Sequence, residues 1–396
     1  MKEVINKTVF YFLFASFMLS CSTSITNDLT YENAKEIVSN KKIELSHIHV
    51  DTIVVNNPYS LSGDGFWKIN GDSLYYFDRL LAVVDTYDKN GEFHSRRLGI
   101  GRGPGEVMEE IGTVCQVNEK WLLTEIYNIY QFSTYFSDKK MKFLFHFGED
   151  IEERKQDLYA NPDPREDIEL YVPAYSMPQM NHLLDTRVLM KVSCEYPDFL
   201  EKEYYSSSAL VAEYDFEEGS ITKLMGKYPP CYQREKGAPA FANHYYSKYK
   251  NGKYLLSFAL DKNIYICNNT FEPISAFGIK GDIQNEDYNL IDFQSGGVES
   301  YNFQEERDRK GFYTSLYYYA EEDLTFRVYK TGTKDEATLS HNPSRMQLYR
   351  GTELIGDVKV PDNFEIIAYQ APYFYADGLH EIGEDKDVIG IFKFKL

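Results

Sequence analysis

The feature that most constrains this chain is a rhythm. Short runs of aromatic and β-branched residues, separated by turn residues, close again and again on a glycine. The clearest unit spans Asn70 to Gly99. Asn70-Gly71 and Asp88-Lys89-Asn90-Gly91 are turn signals. Around them lie Ser73 to Phe77, Leu81 to Tyr87 and Glu92 to Leu98, which read as three strands of an antiparallel meander. Similar units close at Gly148, Gly226, Gly278 and Gly356. The last strands expected are Glu365 to Tyr369, Tyr373 to Ala376 and Val388 to Phe394.

Propeller blades recur every 40 to 50 residues or so, and the longer intervals here contain polar insertions. The expected fold is therefore all-β, a six-bladed β-propeller, with seven blades as second choice and a β-sandwich as the structural alternative. The C-terminal unit stops at Leu396 without room for an outer strand, while His47 to Val55 is strand-like and unassigned. The N-terminal strand is expected to complete the C-terminal blade, which removes an open sheet edge.

Aromatic residues make up 16% of the chain, with 34 Tyr and 26 Phe, a bias that favours strands. Tyr245, Tyr246, Tyr249 and Tyr317, Tyr318, Tyr319 form dense clusters, expected mostly to pack between blades. The formal net charge is −19. Such a chain is repelled by nucleic acid, which is excluded as a partner.

The N-terminus reads as an address. Lys2 and Lys7 precede an apolar core from Val9 to Leu19, too short to span a membrane, and Met18-Leu19-Ser20-Cys21 follows. This stretch resembles the lipobox of bacterial lipoproteins, which implies cleavage before Cys21 and lipid attachment to it. The expected organisation is a signal peptide over 1–20, a lipid-anchored tether with a short helix over 21–42, and a propeller over 43–396. The helix is expected over Thr30 to Val38. The membrane is thus a partner through the lipid, in the periplasm or on the outer membrane. Cys115, Cys194, Cys231 and Cys267 are too widely spaced for a compact disulfide scaffold or a CxxC metal site.

Gly99-Ile100-Gly101-Arg102-Gly103-Pro104-Gly105-Glu106 follows the first unit. Behind a lipoprotein signal, this run resembles that of the six-bladed β-propeller lipoproteins of gut-type Bacteroidetes, a group mostly without assigned activity. The resemblance implies six blades and an envelope location, and no catalytic residue.

The same run fails as a dinucleotide loop, because Pro104 stands where a third glycine is needed and no βαβ unit surrounds it. It reads as an inter-blade connection that uses glycine for positive φ, with Arg102 and Glu106 as candidate ligand-binding residues at one mouth of the channel. His47 and His49 alternate on an expected strand but lack a third metal ligand. Glu384, Asp385 and Asp387 lack the order of a calcium loop. No G-x-S-x-G elbow is present, so no catalytic residue, metal or cofactor is assigned.

The leading functional expectation is a binding module for an envelope protein or glycan, held where loops converge on one face. The alternatives are a lyase or hydrolase with a site in the central channel, and a structural subunit of an envelope complex. An enzyme should gather polar groups with perturbed pKa values in the channel, whereas a binding module should show a broad aromatic rim.

Overall fold

The computed structural model describes residues 29–103, 105–117, 120–125, 131–135, 141–146, 160–174, 179–196, 199–233, 238–239, 241–291, 301–334, 342–381 and 388–396. The expected signal peptide, Cys21, Pro104 and the acidic residues Glu384, Asp385 and Asp387 lie outside these residues.

The chain is an all-β protein with a β-propeller arrangement. Sheet 1 is a four-stranded meander of Gly65–Asn70, Ser73–Asp78, Val83–Asp88 and Phe93–Leu98. Sheet 2 runs through Ile111–Val117, Lys120–Glu125, Gln131–Tyr135 and Met141–His146. Sheet 3 holds Tyr171–Pro173 and Met180–Leu184, which both pair with Arg187–Cys194, then Val211–Asp215 and Ser220–Met225. Sheet 4 is His244–Lys248, Tyr254–Phe258, Ile264–Cys267 and Pro273–Phe277. Sheet 5 is Gly311–Tyr319, Leu324–Thr331, Ser344–Arg350 and Glu353–Val360. Sheet 6 is Glu365–Gln370, Tyr373–Glu381 and Val388–Phe394, completed by Val50–Val54.

That completion is the ring closure expected from the unpaired ends. Gly390 faces Val54 and Phe394 faces Val50 in an antiparallel ladder. The blade number needs a correction. Five blades are counted in the ring, against the six expected, although the sheet topology holds six sheets of four or five strands. Sheet 3 departs furthest from a regular blade, because two short strands, Tyr171–Pro173 and Met180–Leu184, pair with the same strand Arg187–Cys194.

The tyrosine surplus has a structural cause. Tyr246, Tyr313, Tyr329 and Tyr349 bury their rings between neighbouring sheets. Their hydroxyls then bond backbone of a neighbouring sheet or link. Tyr246 donates to the Leu189 carbonyl at 3.1 Å. The amides of Gly281, Asp282 and Ile279 donate to Tyr313, Tyr329 and Tyr349 at 3.1, 2.9 and 3.0 Å. Phenylalanine would fill the same space and leave those polar groups unpaired at a cost of about 1–3 kcal/mol each. Tyr245, Tyr318 and Tyr319 are buried as well, as expected of inter-blade packing.

The segment expected as a helical tether behaves otherwise. Residues 31–34 form a turn and bend, Lys35–Glu36 pairs in parallel with Pro273–Phe277, and Lys41–Leu45 pairs in parallel with Glu353–Val360. The Ile37 amide bonds the Ala276 carbonyl at 2.7 Å, the Leu354 amide bonds Asn40 at 2.9 Å, and the Gly278 amide bonds the Ser39 hydroxyl at 3.0 Å. A single short helix must bear the full nucleation cost, whereas an open sheet edge offers ready-made partners. The chain from Lys35 to Val54 therefore straps the last strands of sheets 4, 5 and 6 in turn.

Candidate functional site

The glycine run forms a tight connection between sheets 1 and 2. The Gly101 amide donates to Val107 at 2.9 Å and the Val107 amide returns to Gly99 at 3.0 Å. Glu106 accepts from the Gly103 amide at 2.6 Å, and a Cβ on Gly101 would stand 2.0 Å from its carboxylate. The Glu106 carboxylate fills the space that a side chain on Gly101 would take. Arg102 is exposed, whereas Glu106 spends its carboxylate on its own loop. His47 and His49 lie in the link after Lys41–Leu45 rather than on a strand, and His49 faces Asp51 at 3.0 Å.

A second group, missed in the sequence, converges near the ring axis. First strands of successive sheets lie side by side, as His244–Lys248 does with Gly311–Tyr319, and Glu365–Gln370 with Gly65–Asn70. Lys68, Tyr245 and Glu365 sit on these strands. Lys191 lies on Arg187–Cys194 of sheet 3, between Met190, which faces Met180, and Val192, which faces Pro173. Its carbonyl accepts from Ala174 and its amide donates to Gln179. Lys191 is buried, with its ammonium 5.5 Å from the ring centre of Tyr245.

The electrostatics tie the group together. Burial lowers Lys191 to about 7, opposed by the charge of Glu365. Burial and the nearby Asp377 raise Glu365 to about 7, opposed by Lys68 and Lys191. Glu365 nevertheless keeps solvent contact, the combination expected of a side chain lining a narrow bore. Burial also raises Tyr245, with Glu365 adding to the rise and Arg307 opposing it. His244, buried beside Phe258, is held well below its ordinary value by burial and then by Lys191.

Asp377 is committed elsewhere. It accepts from the Trp67 amide at 2.9 Å and lies 2.9 Å from Nε2 of His380. Nδ1 of His380 faces the Gly63 carbonyl at 3.2 Å and the Tyr76 hydroxyl at 3.3 Å. This contact fastens sheet 6 to sheet 1. Burial lowers the His380 pKa, but the bond and charge of Asp377 outweigh it, and the net direction is upward.

Among the described residues, no group of three or more His, Cys, Asp or Glu side chains could hold a metal ion, and no helix is long and apolar enough to cross a membrane. Cys115, Cys194 and Cys267 are buried, and Cys231 is exposed.

No protein-family model matches the chain, and no curated protein matches it. Solved structures do. A member of the DUF4221 family from Bacteroides vulgatus ATCC 8482 is 14% identical, with 90% of this chain and 98% of that one covered, at a TM-score of 0.63. A Bacteroides fragilis NCTC 9343 protein thought to be exported is 12% identical, with 91% and 99% covered, at a TM-score of 0.48. A luciferin-regenerating enzyme is 9% identical, with 88% and 95% covered, at 0.44. The likeness to the first concerns the fold alone.

Proposed function

We propose that the chain is an envelope β-propeller lipoprotein, tethered through Cys21, that binds a polar ligand near the ring axis, among its first strands. The observation that carries the binding site is the convergence of Lys68, Lys191, Tyr245 and Glu365 from sheets 1, 3, 4 and 6. No one sheet needs this arrangement for its own packing, and charged side chains at the middle of a ring are costly unless used. The Met18-Leu19-Ser20-Cys21 stretch supports the anchor.

The ligand is a glycan or the exposed end of an envelope protein. Its polar groups meet the Lys191 ammonium and the Glu365 carboxylate. Arg102, on the loop that leads into sheet 2, extends the site at its mouth.

A catalytic reading uses the same residues. Lys191 and Glu365 both titrate near neutrality, which suits an acid and base pair in a lyase or hydrolase. Affinity capture of the lipidated chain from its own membrane, with and without glycan competitor, separates the two. Binding predicts a partner lost in Lys191→Met and released by competitor. Turnover without a retained partner sinks the binding reading.

A further inference from the structure

The link over residues 55–64, which carries the chain from sheet 6 into sheet 1, holds a tyrosine out to solvent. Among the described residues only Tyr59 and Tyr196 are exposed tyrosines, and Tyr59 is the more open, at 52%. It is nevertheless fixed. Its amide donates to Oδ1 of Asn57 at 2.9 Å, and Nδ2 of Asn57 donates to Asp85 at 2.5 Å and to the Tyr87 hydroxyl at 2.6 Å. Asp85 has no solvent exposure and accepts from Nε and Nη2 of Arg96 at 2.8 and 2.7 Å. The Arg96 guanidinium lies 4.6 Å from the centre of the Tyr59 ring, and the Phe93 ring meets that ring at a steep angle, 5.6 Å away. Phe93 packs on Tyr87 at 5.8 Å and Tyr87 on Trp67 at 5.5 Å. A row of rings thus runs from the interior of sheet 1 to its rim and ends on Tyr59.

Cover for the Arg96–Asp85 pair accounts for one face of Tyr59 and leaves the open half of the ring without a role. We propose that this open face is a stacking platform for a neutral hexopyranose ring of a glycan, at the rim of sheet 1 and apart from the axial site. A pyranose presents a flat patch of C–H groups edged by hydroxyls. Tyr59 meets the patch, and Asn56 and Ser60, exposed on the same link, supply hydrogen-bonding groups for the hydroxyls. The platform is already held in place, so little side-chain freedom is lost on binding. The sugar is neutral because Arg96 is committed to Asp85 and to the Ser60 carbonyl, and because a chain of net charge −19 repels anions. A folded protein partner fits less well. It needs several anchors over about 800 Å², and Tyr59 is the sole exposed aromatic among the described residues of sheet 1 and its two flanking links.

The test is saturation-transfer NMR on the full chain with methyl β-galactopyranoside, methyl β-glucopyranoside and the open-chain polyol galactitol. At least one pyranoside is expected to bind, with its strongest saturation at the protons of one ring face. Galactitol keeps the hydroxyls without the flat face and is expected to give no signal. Tyr59→Phe and Tyr59→Trp keep an aromatic ring and retain binding. Tyr59→Leu still covers Arg96 but offers no flat ring, and is expected to weaken binding by about fivefold or more. Circular dichroism confirms that each variant is folded. Equal affinity in wild type and Tyr59→Leu overturns the platform, as does a wild type that binds neither pyranoside or binds galactitol as well. Binding lost in Lys191→Met but kept in Tyr59→Leu places the sugar at the axis and overturns the rim site alone.

Discussion

The guanidinium of Arg327 lies 3.3 Å from the ring centre of Tyr313, and Arg327 has no solvent exposure. Its nitrogens also reach the carbonyls of Lys262 at 2.6 Å, Phe258 at 3.2 Å and Asp261, so a residue of sheet 5 holds a turn of sheet 4. One planar fork spans three acceptors and an aromatic face, which a lysine cannot copy. Arg327→Lys and Arg327→Met are expected to destabilise the protein by about 3 kcal/mol, since the carbonyls lose their donor. Urea unfolding checks this, and a loss under about 1 kcal/mol refutes the clamp.

His380 predicts a pH dependence. Its folded pKa is raised, so the folded state holds the proton more tightly than the unfolded chain. The stabilisation is fully present below the unfolded value of about 6.5 and fades as pH rises through the folded value. The difference in melting temperature between wild type and His380→Phe should be larger at pH 5.5 than at pH 8.5. Equal differences at both would remove the charge from the account.

Gly101 and Glu106 predict a coupling. Gly101→Ala pushes a methyl into the Glu106 carboxylate and costs the Gly103 bond. Glu106→Ala alone loses that bond and is expected to cost about 1 kcal/mol. The double variant should be more stable than the sum of the singles implies, with an interaction of about 1 kcal/mol in a denaturation cycle. Simple additivity would show that the two do not share the space.

The N-terminal strap predicts an aggregation phenotype. A chain lacking residues 29–45 uncovers the last strands of sheets 4 and 5. Unpaired edges of this kind join other chains. Light scattering should show concentration-dependent association at unchanged far-UV circular dichroism. A monomeric truncated chain would mean that those edges are protected some other way.

The fold was legible where strands sit between sharp turns. Tyr254–Phe258, Ile264–Cys267 and Val388–Phe394 fall where their patterns place them. First strands were harder. Gly65–Asn70 and His244–Lys248 were not read as strands, because axial residues such as Lys68 and His244 interrupt the apolar signal. The helix expected from Ala34, Ile37 and Val38 failed because edge bonding to Ala276 and Leu354 overrides a weak local preference. The axial group was invisible for a different reason. It takes about one residue from each of several sheets, so no spacing along the chain marks it. Arg102 and Glu106 drew notice because they share one loop, and Glu106 serves the loop itself.

The ladder between Val50–Val54 and Val388–Phe394 also sets a timetable. A ribosome delivers the first of these strands before sheets 1 to 5 and the second after them, so the earlier segment must wait for all five before it meets its mate. Premature termination ahead of residue 388 leaves a ring with a gap, however sound the remaining sheets. Quality control that senses such gaps would therefore detect chains that stop before the second strand.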